Sequence, residues 1–309
     1  MKRSLISLLV TVALLWLLFS QITFTQFMET TRKISLTSLF YAFSAYLLVY
    51  FFRALRLKLL LRPERTRFWP LLRIAAAHNF FNRILPVRAG ELSLAHFINK
   101  RYKTTMTKGV GILLVARILD LAILLVLITI SAFFFSALDP VYHIILIALL
   151  LLLIYMLRNI SRTIQFGFRL IDKMPLLSTK IKEHIKQRKD LMIESFAHVQ
   201  TPSVFWGLVG LTLCCWLALN YTFYVLAFTM GLKISFPLFV LGAVLAFLSS
   251  ILPVGVGDFG THEAGWTIGF LLIGLPKGIV IASGFSVHII ALFFALIVFL
   301  IFGLYEMWT

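Results

Sequence analysis

Long apolar runs, separated by short basic or polar stretches, dominate the chain from one end to the other. A helix needs about 20 apolar residues to cross the hydrocarbon core of a bilayer. The pattern therefore predicts an all-α integral membrane protein. Its six predicted crossings are Ser4–Ser20, Leu36–Phe52, Val110–Phe135, Val141–Leu157, Val204–Thr229 and Ile279–Leu304.

Two further apolar stretches, Leu71–Ile98 and Phe236–Ile273, are interrupted by proline and glycine. These residues break a helix, and at membrane depth the freed backbone groups must be satisfied by protein or by a polar cavity. We expect each stretch to form two short helices that enter and leave on the same side, as a re-entrant hairpin. The alternative is a thin full crossing.

The two interruptions contain similar eight-residue sequences, which we call the first and second words: ILPVRAGE at Ile84–Glu91 and ILPVGVGD at Ile251–Asp258. Each half of the chain, 1–138 and 139–309, has two predicted crossings, one hairpin and one more crossing. Because three crossings is an odd number, the second half is inverted, an arrangement typical of transporters with broken helices. The alternative is chance recurrence of a short apolar word. We predict a single membrane domain, 1–309, built as an inverted repeat.

The composition agrees with this class: 61% of the residues are hydrophobic, only 13% are charged, and the mean hydropathy is +0.97. These values exclude an ordinary soluble domain. The net charge of +17 does not indicate nucleic acid, because the basic residues flank apolar spans, and the expected anionic partner is lipid. Cys214 and Cys215 are adjacent in an apolar run and are expected to serve packing.

The basic residues also predict the orientation. Most of them, including the run that begins at Arg53, fall on one side of the predicted spans, and only Arg32, Lys33, Lys233 and Lys277 fall on the other. We predict that the protein lies in the cytoplasmic membrane. The positive-inside rule then places both of its termini in the cytoplasm. The basic segment 158–201 is predicted to lie on cytoplasmic headgroups, either to gather anionic lipid or simply to anchor the topology.

Arg88 lies at the tip of the first predicted hairpin, where a guanidinium can make a bidentate contact with a lipid phosphate. The alternative is an ion pair between Arg88 and Glu91. The predicted lipid-binding residues of this hairpin are Asn82, Pro86, Arg88, Gly90 and Glu91, with Asn79 and Arg83 on the same path.

The second word has no arginine but is richer in glycine, whose N–H groups can cradle an anion. The alternative is a helix start, capped by Asp258 or Thr261 and with Glu263 complementing the helix dipole. Glu91 and Glu263 are also candidate proton carriers. The predicted lipid-binding residues here are Pro253, Gly255, Gly257, Asp258, Gly260 and Glu263.

Arg117 and Asp120 are spaced by three residues on the predicted third crossing, so they lie on one helix face. They are predicted either to pair structurally or to belong to the lipid path. His262 beside Glu263 lacks further ligands at metal-binding spacing, and the chain has no Walker A or G-x-S-x-G word. We expect no metal, no cofactor and no ATPase activity.

The words in Asn82–Glu91, Arg117–Asp120 and Leu252–Gly265 resemble the lysylphosphatidylglycerol synthase transmembrane-region family, the flippase-like domain of multiple peptide resistance factors. The resemblance covers nearly the whole chain and implies lipid translocation, or an accessory role in lipid or glycan metabolism. The fused members add an aminoacyltransferase domain, which we do not expect here. The chain departs from the family at Ala116, where an acid is usual, and at His288, where an arginine is usual, which implies a smaller charge network.

The resulting prediction is a flippase that moves an anionic phospholipid or a polyprenyl-phosphate-linked lipid across the cytoplasmic membrane. Two alternatives stay open. One is a membrane transferase with Glu91, Asp258 or Glu263 as its base. The other is a scaffold for a lipid-modifying or glycosyltransferase enzyme. The sequence leaves the oligomeric state open.

Overall fold

The structure, a computed structural model, describes residues 11–14, 16–18, 20–61, 66–85, 90–135, 139–159, 162, 166, 199, 201–250 and 257–308. All regular secondary structure in these ranges is helical. The helices with defined bounds are α1 Phe24–Thr31, α2 Leu36–Leu60, α3 Phe68–Ile84, α4 Glu91–Tyr102, α5 Met106–Ala132, α6 Pro140–Arg158, α7 Pro202–Met230, α8 Phe236–Ser249, α9 Thr261–Leu272, α10 Lys277–Val298 with a π-helical turn at Phe299–Gly303, and α11 Tyr305–Trp308.

Four of the six predicted crossings are confirmed as helices long and apolar enough to span a membrane. Within the described ranges these are α2, α5, α7, and α10 with its π-helical turn. The predicted crossing Val141–Leu157 lies on α6, whose apolar stretch Pro140–Met156 is shorter than the other four. The predicted crossing Ser4–Ser20 lies largely outside the described residues and stays a prediction.

Helix α2 is longer than the sequence predicted. Its N-cap is Ser35, whose side chain accepts a hydrogen bond from the Ser38 N–H, and the helix continues past Phe52 to Leu60. Arg53 and Arg56 therefore lie within the helix, and Arg56 is only 7% exposed. The predicted crossing ended too early, because partners on other helices let α2 carry both charges into the bundle.

Both broken apolar stretches form the predicted pairs of short helices, α3 with α4 and α8 with α9. The helices of each pair approach closely at glycine. A Cβ atom at Gly90 would collide with the Phe81 carbonyl, and one at Gly269 would collide with the Gly242 carbonyl. The order long helix, hairpin, long helix thus occurs twice, from α2 to α5 and from α7 to α10. Residues 86–89 and 251–256, at the two connections, lie outside the described residues.

Helices α2 and α7 pack along each other, the first hairpin packs against α2 and α5, and the second hairpin packs against α5 and α10. The end of α10 holds the first hairpin in place. Phe299 stacks on Phe80 of α3 with ring centroids 4.1 Å apart, and a Cβ at Gly303 would lie 2.9 Å from the Ala77 nitrogen. The largest buried side chains, among them Trp266 and Tyr46, fill the core beside the second and first hairpins.

Candidate functional site

A cavity of about 400 Å³ lies between the two hairpins, and we call it the central cavity. Its volume falls within the range of about 300–1,000 Å³ that is usual for small-molecule sites. Polar and charged side chains from both halves of the chain line it: Arg53, Asn79, Asn82, Arg83, Glu91, Arg117, Asp120, Ser250, Asp258, His262 and His288.

One wall of this cavity is built on an ion-pair network that joins α2, α4 and α5. Arg56 Nη1 lies 2.5 Å from Asp120 Oδ1, and Arg117 Nη1 lies 3.8 Å from Asp120 Oδ2. Arg117 Nη2 in turn lies 3.0 Å from Glu91 Oε1. Trp216 of α7 donates its indole N–H to Asp120 Oδ1 at 3.2 Å. The predicted contact between Arg117 and Asp120 is present, but the nearest partner of each residue is on another helix.

Arg53 is held by a neutral group. Its Nη1 donates to Asn79 Oδ1 at 2.7 Å, and the Asn79 Nδ2 donates to the Tyr50 hydroxyl at 2.5 Å. Asn79 lies on α3 and is 7% exposed, so α2 and α3 are joined by a buried polar contact directly at the cavity wall. The guanidinium of Arg53 thus has a fixed position without its charge being neutralised by Asn79.

The end of the second word contacts the end of α3 beside the cavity. A Cβ at Gly257 would lie 2.9 Å from the carbonyl oxygen of Arg83, the residue before the first word. Gly257 has φ +62°, in the left-handed region that glycine enters without steric cost. Asp258 follows with φ +61° and lies within electrostatic range of Arg83. The end of α3 and the turn before α9 are therefore in direct contact.

Glu263 lies behind the cavity wall and caps its own helix. Its Oε2 accepts the Gly260 N–H at 2.7 Å, and its Oε1 lies 2.6 Å from His288 Nδ1 on α10. The side chains of Glu263 and His288 are 0% and 2% exposed. This geometry agrees with the alternative that placed Glu263 at a helix start, although neither Asp258 nor Thr261 is the cap. The cap residue is Gly260, because the carboxylate one turn ahead reaches back to its N–H. The lipid-binding role of Glu263 stays a prediction.

Four side chains that line the cavity have a buried polar atom without a hydrogen-bond partner. These atoms are Asn82 Oδ1, Arg83 Nε, Arg117 Nε and His262 Nε2. Buried polar groups are usually paired, because leaving one without a partner costs about 1–3 kcal/mol. The two arginine Nε atoms are N–H donors, and donors of this charged type bind phosphate or carboxylate oxygens well.

The described part of the chain holds no group of three His, Cys, Asp or Glu side chains close enough to bind a metal ion. His262 Nδ1 instead lies 3.4 Å from the Ser250 hydroxyl, and its ring packs 4.7 Å from that of His288. These neighbours make His262 part of a polar and aromatic cluster at the second hairpin.

Five predicted lipid-binding residues line the central cavity: Asn82, Glu91, Arg117, Asp120 and Asp258. Gly90, Gly257 and Gly260 shape the adjoining backbone, whereas Glu263 is buried behind it. The remaining predicted residues, Pro86, Arg88, Pro253 and Gly255, lie outside the described residues, so the role of Arg88 stays a prediction.

Sequence reasoning missed Arg53, Ser250, Trp216 and His288 as cavity residues. One signal was available for the first of these. Arg53 and Arg56 have the same three-residue spacing as Arg117 and Asp120, at the edge of an apolar run, and that spacing places two charges on one helix face.

Comparison with curated proteins gave no match to an individual sequence. The family described as "Lysylphosphatidylglycerol synthase TM region" matches residues 4–298, which is nearly the whole chain. The match confirms the resemblance seen in Asn82–Glu91, Arg117–Asp120 and Leu252–Gly265. Taken with the four long apolar helices among the described residues, it shows that the chain is a multi-pass membrane protein and belongs to the lysylphosphatidylglycerol synthase TM region family.

Proposed function

We propose that the chain binds the anionic headgroup of a membrane lipid in the central cavity and moves that lipid between the two leaflets. The observation that carries the proposal is a polar, arginine-lined cavity enclosed by helices that are otherwise apolar. The family name points in the same direction, since lysylphosphatidylglycerol is a membrane lipid with a phosphate in its headgroup.

The charge around the cavity favours an anion. Among the described residues, four arginines line the central cavity and the small pocket beside it: Arg53, Arg56, Arg83 and Arg117. Three carboxylates line the same space: Glu91, Asp120 and Asp258. With the histidines neutral, one positive charge is in excess. Because a buried charge is costly unless it is compensated, a phosphate-bearing headgroup is the ligand that suits this site.

The repeated element order supports movement of the lipid rather than simple binding. A long helix, a broken hairpin and a long helix occur in each half, and the two hairpins meet at Gly257 and Arg83. In an inverted repeat, a site at the meeting point of two broken elements is reached alternately from the two faces. We propose this mechanism, with both termini in the cytoplasm and the protein in the cytoplasmic membrane.

Transfer chemistry has less support from the geometry. Glu263, one of the three candidate bases, is buried against His288 and does not line the central cavity. Glu91 lines the cavity but is ion-paired with Arg117, and Asp258 lies in the field of Arg83. A scaffold for a lipid-modifying or glycosyltransferase enzyme stays a proposal without a structural observation of its own.

Liposomes that carry a fluorescent phosphatidylglycerol test the proposal. Dithionite destroys only the fluorophores of the outer leaflet, so lipid movement appears as loss of fluorescence beyond the outer-leaflet share. We expect the wild-type protein to accelerate this loss, Arg53→Gln to slow it, and the exposed control Arg32→Gln to leave it unchanged. Movement no faster than in protein-free liposomes would contradict the proposal, and a chemically altered lipid would favour a transferase.

A further inference from the structure

A second cavity of about 360 Å³ adjoins the central cavity, and we call it the side groove. Helices α5, α6 and α8 enclose it, and every residue that lines it is apolar. On α6 the lining residues Leu146, Leu149, Leu153 and Met156 follow one helical stripe, with spacings of three and four residues. Leu149 and Leu152 line the groove and are exposed, so the groove is open to the surface.

The side groove borders the central cavity along α5. Leu121 and Leu124 line both spaces. Before them on the helix come Arg117 and Asp120, which line the central cavity, and after them comes Ile128, which lines only the groove. Over the eight residues from Asp120 to Ile128 the helix rises about 12 Å, and over that distance the wall changes from charged to wholly apolar.

The charged cavity beside the groove indicates the kind of occupant. A lipid joins a charged headgroup to a hydrocarbon tail, and this matches a charged space and a wholly apolar space that share Leu121 and Leu124. A hydrocarbon chain also needs no hydrogen-bonding group on the wall of the groove.

We propose that the side groove binds an acyl chain of the lipid whose headgroup occupies the central cavity. This inference rests on the proposed function and adds a separate binding site for the tail of the lipid. Head and tail are then held together at the junction of Leu121 and Leu124. A water-soluble phosphate compound fills only the polar space and gains nothing from the groove.

Phosphatidylglycerol with a photoactivatable diazirine in one acyl chain tests this assignment in the intact, reconstituted protein. Leu149→Trp fills the groove, and Leu151→Trp is the matched control, because Leu151 is 61% exposed and lies on the opposite face of α6. We expect labelling of α5, α6 and α8 to fall about tenfold in Leu149→Trp, the effect of overpacking an occupied site, and to stay unchanged in Leu151→Trp. Leu149→Phe replaces the first variant if that protein is not monodisperse.

Three outcomes would overturn the acyl-chain site. The first is labelling spread equally over both faces of α6. The second is labelling that Leu149→Trp does not reduce. The third is a crosslink that joins α6 to a second protein chain, which makes the groove a protein contact. Excess glycerol phosphate, which lacks a tail, should displace the headgroup and reduce the labelling.

The experiment also separates this inference from the proposed function. Groove labelling without lipid movement in the dithionite assay leaves the acyl-chain site standing and refutes transport. Lipid movement that Leu149→Trp does not slow, with no label in the groove, refutes the acyl-chain site and leaves transport standing.

Discussion

The ion pair between Arg56 and Asp120 gives the most quantitative prediction. The two side chains are 9% and 15% exposed, and their charged atoms are 2.5 Å apart on helices α2 and α5. Removing one partner of a buried pair typically costs about 3–5 kcal/mol, because the other charge stays buried without compensation. Replacing both partners by apolar side chains of similar volume is often neutral or stabilising.

The other contacts of Asp120 predict which single substitution costs more stability. Asp120→Leu removes the acceptor for the Trp216 indole N–H as well as the partner of Arg56. Arg56→Leu leaves Asp120 with that indole donor and with Arg117 at 3.8 Å. We therefore expect Asp120→Leu to cost about 5 kcal/mol, Arg56→Leu to cost about 3 kcal/mol, and the double variant to cost less than either.

Unfolding of the purified protein in mixed micelles, followed as helix content against the fraction of denaturing detergent, gives the free energies for all four proteins. The exposed Arg32→Gln serves as the control and should stay within about 0.5 kcal/mol of wild type. Single costs that add up in the double variant, within about 0.5 kcal/mol, would refute a structural ion pair. Equal loss of lipid movement in all three variants, at wild-type stability, would assign the pair to function.

Three shorter predictions concern other parts of the bundle. Gly257→Ala should lower the free energy of unfolding by about 1–3 kcal/mol, because the φ of Gly257 is +62° and an added Cβ would collide with the Arg83 carbonyl. The control Gly278→Ala, with open space around it, should keep the thermal midpoint of the wild-type protein. His288→Ala should sharply reduce the monodisperse fraction on size exclusion, since it leaves the carboxylate of Glu263 buried without its 2.6 Å partner, and a normal profile would contradict this. Burial raises the pKa of the Glu306 carboxyl above 4.5, so the folded state retains that proton longer than the unfolded state and stability falls as pH rises through the folded pKa. Glu306→Gln should remove this fall in thermal midpoint without changing the midpoint below about pH 4.5, and parallel pH profiles would refute it.

The sequence was sufficient for the helices and the hairpins. Apolar runs predicted four long helices within a few residues at most ends, and proline with glycine predicted where two stretches break into paired short helices. Both signals are local, because helix length and helix breaking depend on residues that are neighbours in the chain.

Which charged residues pair with each other could not be predicted from the sequence in the same way. Arg56 and Asp120 are 64 positions apart, and Glu263 and His288 are 25 apart, so no helical spacing connects them. The hydropathy pattern also predicted that the crossing ends at Phe52, just before Arg53. The helix continues to Leu60, because its charged side chains have partners inside the bundle. Tertiary contact decided both points, and a single sequence does not display it.

Arg53 differs from Arg56 and Arg117 in one respect that leads to a last prediction. Arg56 and Arg117 each lie within 3.0 Å of a carboxylate, whereas the hydrogen bond that fixes Arg53 goes to the neutral amide of Asn79. Because the amide is neutral, it does not compensate the charge of Arg53 at the cavity wall. The guanidinium also presents a planar set of donors that matches two phosphate oxygens. Lysine at this position retains the charge but not the planar, two-pronged geometry.

We therefore expect Arg53→Lys to move phosphatidylglycerol more slowly than wild type, yet faster than Arg53→Gln, in the dithionite assay. Hydrogen bonds to charged groups contribute about 1.5–3 kcal/mol, so losing both charge and geometry in Arg53→Gln should weaken binding of the fluorescent lipid by roughly 10- to 150-fold. Equal rates for the lysine variant and wild type would show that only the charge matters. Equal rates for all three proteins would remove Arg53 from the headgroup site, because a guanidinium that touches the phosphate cannot be replaced without cost.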